Sequence, residues 1–328
     1  MRLIRCIFVL FLLPVITEAV DIKPRGAAMD QDNPAADMLL EQADSTFQAR
    51  DYQAALEQYT DAYDQARTDF NPSVEVEAAS QIARMNLLLE HADVGRQWLD
   101  TAAQRATDSD PMGWSRYLGV KGRFEWKDNE LKTARETFDR MYNYCTTNAL
   151  WGRAIDAAHM VAIVAESSGD QIEWGKRGIE AAEKTDNEQW LGPLWNNLAG
   201  TYYDLKQYDS ALTCYLKARE YHWRFSGEYA KLFADYHVGM TYRLLGNLDE
   251  AGKWLRPVLA WAERIDNHGA IGQACEDLGE IEIARGNKPG GLKLLERARS
   301  EYKKEGYDRN WPEIWSNING RIADLGGK

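Results

Sequence analysis

Trp195–Ala218 reads WNNLAGTYYDLKQYDSALTCYLKA, and its spacing decides the fold. Apolar residues fall three and four apart on both sides of the polar break Lys206-Gln207, the pattern of two amphipathic helices joined by a tight turn. Small residues recur at Ala199, Ala211 and Ala218, with rings at Tyr202, Tyr208 and Tyr215 between them. Small side chains let helix backbones approach, and the rings fill the space left beside them. Such a hairpin has apolar surface on more than one side and cannot bury it alone. It demands neighbours of the same construction.

Those neighbours are present along the chain. The small residue that opens each second helix recurs as Ala55, Gly95, Ala134, Gly175, Ala211, Ala251 and Gly291. Four residues after each comes Tyr59, Leu99, Phe138, Ile179, Tyr215, Leu255 and Leu295. Twelve before most of them sits another small residue, Ala43, Ala83, Gly122, Ala199, Gly239 and Gly279; repeat four needs one inserted residue to place Ala162 there. Breakers such as Arg50-Asp51, Asp128-Asn129, Gly169-Asp170 and Gly246-Asn247 separate the paired helices. The period is near 40 residues.

Trp195-x-x-Leu198-Ala199-x-x-Tyr202 followed by Ala211-x-x-x-Tyr215 closely resembles the tetratricopeptide repeat signature, with Ala for the usual Gly. The resemblance covers residues 34–305 and implies an all-α, right-handed α-α superhelix of about seven helix-turn-helix repeats. The family's usual period is about 34 residues, so each helix here gains up to a turn, as in the long-period repeats of kinesin light chain. Pro257 falls inside a second helix, where it removes a donor and should bend it. Pro312 opens a last helix within the C-terminal capping segment and tail, residues 306–328; its Ile314, Trp315, Ile318 and Ile322 cover the end of the array, with Arg321 and Asp324 toward water.

The first 19 residues differ in kind. Arg2 and Arg5 precede the apolar run Cys6–Ile16, and Thr17-Glu18-Ala19 offers small residues for cleavage. This reads as an export signal cut after Ala19, followed by a flexible linker over 20–33. The chain is then expected in the periplasm or secreted, or else held by an uncleaved anchor facing out of the cytoplasm. Of four cysteines, Cys6 leaves with the signal, and Cys145, Cys214 and Cys275 show no disulfide or zinc spacing. They are expected as buried thiols. A net charge of −12 excludes the concentrated basic surface that nucleic acid needs.

Catalytic patterns are missing. The five histidines hold no pair at metal-ligand spacing, and there is no HExxH, nucleophile elbow or phosphate loop. Gly286–Gly291 coincides with a repeat turn and reads as turn plus helix start. The expectation is a non-enzyme with no cofactor and no metal.

A helical array offers instead a wall lined by the first helix of every repeat, and the resemblance implies that this wall binds a peptide or protein. Carrying the groove positions over gives Phe47, Arg84, Arg123, Trp126, Asn196, Tyr203, Tyr236 and Met240, with Glu276 and Glu280 as an acidic end. Arg84 and Arg123 hold equivalent places in adjacent repeats and would accept a carboxylate. The alternative is that they bridge to Glu77 and Glu125 on neighbouring turns. Phe233 and His237 stand where a chaperone-tail clamp needs basic residues, so that function is not carried over. Tyr221–Phe225 reads as core between repeats. Two functions remain open: a static scaffold, or a regulatory receptor whose array changes curvature when ligand binds.

Overall fold

The structure, a computed structural model, describes residues 34–185 and 188–327. The export signal and the whole linker, residues 1–33, lie outside the described residues. The described residues form α-helices with one 3-10 turn at Glu188–Trp190 and no strand. The hairpins are α1 (Pro34–Gln48) with α2 (Tyr52–Thr68), α3 (Pro72–Leu88) with α4 (Ala92–Ala103), and α5 (Pro111–Lys127) with α6 (Leu131–Thr147). Next come α7 (Trp151–Val164) with α8 (Ser168–Ala182), and α9 (Leu191–Asp204) with α10 (Tyr208–Phe225). The last two are α11 (Glu228–Leu244) with α12 (Leu248–Arg264), and α13 (His268–Ala284) with α14 (Lys288–Lys304); α15 (Tyr307–Asn310) and α16 (Pro312–Asp324) follow. Contacts divide the chain into two compact units inside α9, residues 1–198 and 199–328.

The small-and-large register is the interior. Ala55, Ala134, Ala211 and Ala251 are fully buried, and so, within 1%, are Tyr59, Phe138, Tyr215, Leu255 and Leu295 four residues on. Each such side chain is worth about 1.5–3 kcal/mol of burial. The glycines mark close approach: a Cβ at Gly239 would lie 2.8 Å from the Leu255 side chain, and one at Gly291 would lie 2.8 Å from the Gly279 carbonyl, where two backbones meet.

Turn chemistry repeats with the same period. A residue of positive φ stands between the two helices of six hairpins: Arg50, Glu90, Asn129, Lys206, Gly246 and Gly286. The left-handed residue ends one helix and turns the chain into the next. Side-chain caps start several of the following helices, with Asp51 accepting from the Ala54 amide at 3.1 Å and Asn287 from the Gly290 amide at 3.1 Å. Gly286–Gly291 is therefore turn plus helix start, as its sequence implies.

Repeat four departs from the sequence reading. Gly169-Asp170 lies inside α8, and the turn falls earlier, where Ala165 is extended and the Ser167 hydroxyl accepts from the Asp170 amide at 3.0 Å. The serine cap outweighs the glycine as a boundary signal. Ala162 is accordingly only half-buried, whereas Ala158 is fully buried. Helix α12 continues through Pro257. At the end of the chain Ile318 and Ile322 are buried where α16 meets α14, which is capping; Arg321, expected toward water, instead forms a fork with Glu280 at 2.6 and 2.8 Å. Tyr221–Phe225 is not uniformly core: His222 is buried, whereas Trp223 and Phe225 are 43% and 40% exposed. Cys145, Cys214 and Cys275 are buried free thiols, and burial pushes Cys145 up to about 12 and Cys275 to about 11.

Candidate functional site

In the first unit the first helices are stitched together by a seam of half-buried charges. Arg116 on α5 donates to Asp44 on α1 at 2.8 Å and to Glu77 on α3 at 3.3 Å. Glu77, 1% exposed, also receives Arg153 from α7. The Tyr59 hydroxyl donates to Asp44 at 2.5 Å, and Gln81 donates to that hydroxyl at 2.8 Å. Burial favours an uncharged Arg116, yet Asp44 and Glu77 outweigh it and hold the guanidinium firmly charged.

A second row runs beside this seam and contains the sequence-predicted arginines. Arg123 donates to Asp156 on α7 at 2.6 Å and to the Gly119 carbonyl at 2.8 Å. Burial raises the Asp156 carboxyl, but Arg123 and Arg84 prevail and hold it down at about 2. His159 is kept neutral by burial, its pKa pulled to about 4 against the opposing pull of Asp156. Arg84 differs from the rest. Its guanidinium carbon sits 4.6 Å from the Phe47 ring centroid, and among the described residues it has no hydrogen bond or ion pair. Neither predicted bridge forms, because Glu77 is taken by Arg116 and Arg153 and Glu125 by Lys121.

The other predicted positions divide. Trp126 is half-buried against the cluster around Phe138 and Val161. Asn196 and Met240 are 5% and 6% exposed, so neither presents a contact surface; the next residue, Asn197, reaches His159 Nδ1 at 3.4 Å. In the second unit Tyr203 and Tyr236 are both half-buried near Asp277. Burial first, then the Asp277 charge, raises Tyr203 to about 12. Asp277 itself is raised by burial and accepts from Arg243. Glu276 accepts the Tyr302 hydroxyl at 2.6 Å, and burial raises its pKa.

Sequence reasoning missed Arg116, Arg153, Glu77 and Asp156 as site residues. A signal for them exists: opposite charges about one repeat apart, as in Glu77 and Arg116 (39 residues), Arg123 and Asp156 (33), Arg243 and Asp277 (34) and Glu280 and Arg321 (41). No group of three or more His, Cys, Asp or Glu among the described residues could hold a metal ion, and no described helix is long and apolar enough to cross a membrane. The arrangement offers, at Arg84, a half-buried cation on the Phe47 ring that has no hydrogen bond or ion pair of its own among the described residues. That is recognition chemistry.

Comparison with known proteins defines the class. The tetratricopeptide repeat profile matches residues 192–220, the stretch that contains the deciding hairpin. No curated protein sequence matches the chain. The chain superposes with TM-score 0.72 on a signal transduction ATPase with numerous domains that carries a tetratricopeptide repeat sensor, from Pyrococcus horikoshii; identity is 15%, over 88% of this chain and 44% of that one. It thus spans less than half the length of that protein. RapI in its apo form gives 0.68 at 14% identity, covering 82% and 77%. A Rap protein in complex with Competence and Sporulation Factor gives 0.54 at 17%, covering 89% and 86%. At such identities the likeness is one of fold: an all-α solenoid of the tetratricopeptide type.

Proposed function

We propose that this chain is a non-catalytic scaffold that acts outside the cytoplasm and holds a peptide or protein segment against its first helices. The observation that carries the reading is Arg84, a half-buried cation resting on Phe47 with no direct ion pair among the described residues. Phe47 lends it rigid aromatic area, and Trp126, half-buried on the first helix of the next repeat, is a second residue of the type that anchors interfaces. The Rap protein's complex with Competence and Sporulation Factor supports a peptide ligand by analogy of fold. The basic, apolar and small-residue succession of residues 1–19 supports export.

The test is capture of partners from the extracytoplasmic fraction, followed by titration of the captured segment as a synthetic peptide. Affinity should fall about tenfold or more with Trp126→Ala and with Arg84→Glu. Unchanged affinity in both variants rejects the reading. N-terminal mapping of the isolated protein should begin at Val20, and an intact Met1 argues for the anchored form instead.

A second reading, a receptor whose array changes curvature on binding, is favoured by the division into two units inside α9 and, by analogy, by the sensor role of the Pyrococcus repeats. Small-angle scattering separates the two. A ligand-dependent change in radius of gyration marks a receptor, and an unchanged profile at saturation marks a static scaffold.

A further inference from the structure

The corner where α10 passes into α11 lies outside the sites described above. Four aromatic side chains are exposed among the described residues, and three of them, Trp223, Phe225 and Tyr229, fall within seven residues about this turn. Each is 40–43% exposed. Trp223 is held in place: its indole N–H donates to Asp235 at 2.9 Å, and Arg219 donates to the same oxygen at 2.6 Å while lying 5.0 Å from the ring centroid. Trp261 donates its N–H to Glu228 at 2.6 Å and meets Trp223 edge to face at 6.0 Å. The one polar atom of Trp223 is therefore satisfied within the protein, and hydrocarbon is what the ring presents to solvent. Charge at the corner runs against that of the chain. Residues 216–231 hold Lys217, Arg219, Arg224 and Lys231 against Glu220 and Glu228, a net +2 in a chain of −12. Arg224 is exposed and lies 4.7 Å from the Phe225 ring centroid, so cation and ring face outward together.

We propose that this corner docks on an anionic lipid surface, its three rings entering the interfacial layer and its basic side chains pairing with lipid phosphates. Trp and Tyr settle at the boundary between hydrocarbon and water, because each has an apolar body and a polar tip. Lys and Arg beside them are drawn to an anionic leaflet over a Debye length. In a chain that is acidic as a whole, a locally basic corner also decides which end approaches. Two features favour lipid over a protein partner or a second copy of the chain. At these exposures the three rings offer roughly 200–300 Å², well short of the about 800 Å² per partner that a stable protein interface buries. Trp223 and Phe225 also lie about 200° apart around α10. A flat protein face that covers one leaves the other in water, whereas a fluid interface closes around the whole tip. Docking here stands without the peptide-holding function proposed above, whose residues belong to the first unit.

Quenching by lipid-borne nitroxide reads the corner itself. Phe225→Cys and, as a control on α4, Val94→Cys are each made in the full-length chain carrying Cys6→Ser. Both are labelled with bimane in the folded state, where Cys145, Cys214 and Cys275 are buried and Val94 is exposed. Residues 1–19 are common to both samples, so a tether there acts on the two labels alike. Vesicles of equal parts phosphatidylcholine and phosphatidylglycerol, doped with nitroxide-labelled lipid, should quench the label at position 225 and spare the one at 94. Half-quenching should need about tenfold more lipid with phosphatidylcholine alone, and about tenfold more anionic lipid when Arg224→Glu and Lys231→Glu are added. Tyr229→Ser should weaken docking on the anionic vesicles, and unchanged helicity is checked for each variant. The contrast of two labels and two lipid mixtures tests the proposal even where a variant fails to fold. Equal quenching at both positions, none at position 225, or quenching that ignores lipid charge overturns it. Protection of that label by a captured protein while vesicles leave it unquenched assigns the corner to a protein partner and equally overturns lipid docking.

Discussion

Arg116 on α5 donates to Asp44 on α1 across 72 residues of sequence, skipping a whole hairpin to tie repeat one to repeat three. Arg153 does the same between repeats four and two, through Glu77. An array in which each hairpin touches only its neighbours is stabilised piecewise; these arginines couple hairpins that are not adjacent. Both ends of the Arg116 pair are 15–17% exposed, and Glu77 is nearly sealed. Removing Arg116 therefore leaves two carboxylates without their main partner. Arg116→Met should cost about 3 kcal/mol in urea unfolding, and the transition should broaden as the first unit loses cooperativity. A midpoint within error of wild type would show that the seam is solvated rather than structural.

The turns make a prediction of opposite sign. Glu90 and Lys206 adopt φ of 65° and 58°, where an L side chain meets its own carbonyl, and both are exposed. The equivalent positions in repeats six and seven are Gly246 and Gly286. Lys206→Gly and Glu90→Gly should each gain about 0.5–1 kcal/mol, and Gly246→Ala should lose about 1 kcal/mol. Thermal unfolding of the three variants checks all of these; a loss on Lys206→Gly would mean that this turn is not left-handed in solution.

Two helical glycines should respond in opposite directions. A Cβ at Gly122 would come within 2.6 Å of the Phe138 ring, in the interior, so Gly122→Ala should cost about 1–3 kcal/mol. Gly320, inside α16, has nothing within 4 Å, so Gly320→Ala should gain about 0.5–1 kcal/mol from helix propensity alone. Denaturant midpoints of the pair test whether close hairpin approach, rather than glycine content, sets the register.

The difference between those glycines also explains what the sequence made legible. The interior writes itself into the chain as small residues at fixed places, because only a small side chain fits where the paired helix presses a large one close, and so Ala55, Gly122 and Gly239 announced their hairpins. Repeat four was misread because Gly169-Asp170 resembles a breaker, while the serine cap at Ser167 decides the boundary. The site was less legible. Arg84 and Arg123 are equivalent in sequence, and only the placement of Asp156 on the next first helix makes one of them paired and the other not. Asn196 and its neighbour Asn197 differ by about 100° around one helix, so a small error of phase moved the polar contact from the half-buried residue to the buried one.

Acid should weaken the fold through two buried histidines, against the smaller opposing effect of Glu276 and Asp277, whose folded-state pKa values burial raises. His237 is packed on the Tyr215 ring at 4.9 Å, with Phe233, Tyr236 and His222 around it, and burial pulls its pKa down to about 3. His159, facing Asp156, Arg123 and Asn197, is pulled to about 4. In the unfolded chain both take a proton near pH 6.5. Between those values the unfolded state binds protons that the folded state refuses, so stability falls as pH drops below about 6.5, by up to about 1.4 kcal/mol per pH unit for each histidine. Above pH 7 both are neutral in either state and contribute no slope. Asp156, held at about 2 when folded, adds its own loss only below about pH 4. Urea midpoints at pH 7.5, 6.5, 5.5 and 4.5 should therefore be flat over the first step and then decline. His237→Phe, which keeps a ring against Tyr215, should flatten that decline by one histidine's share. A midpoint indifferent to pH between 6.5 and 4.5, or a slope unchanged by His237→Phe, would mean that the imidazoles are hydrated in the folded protein.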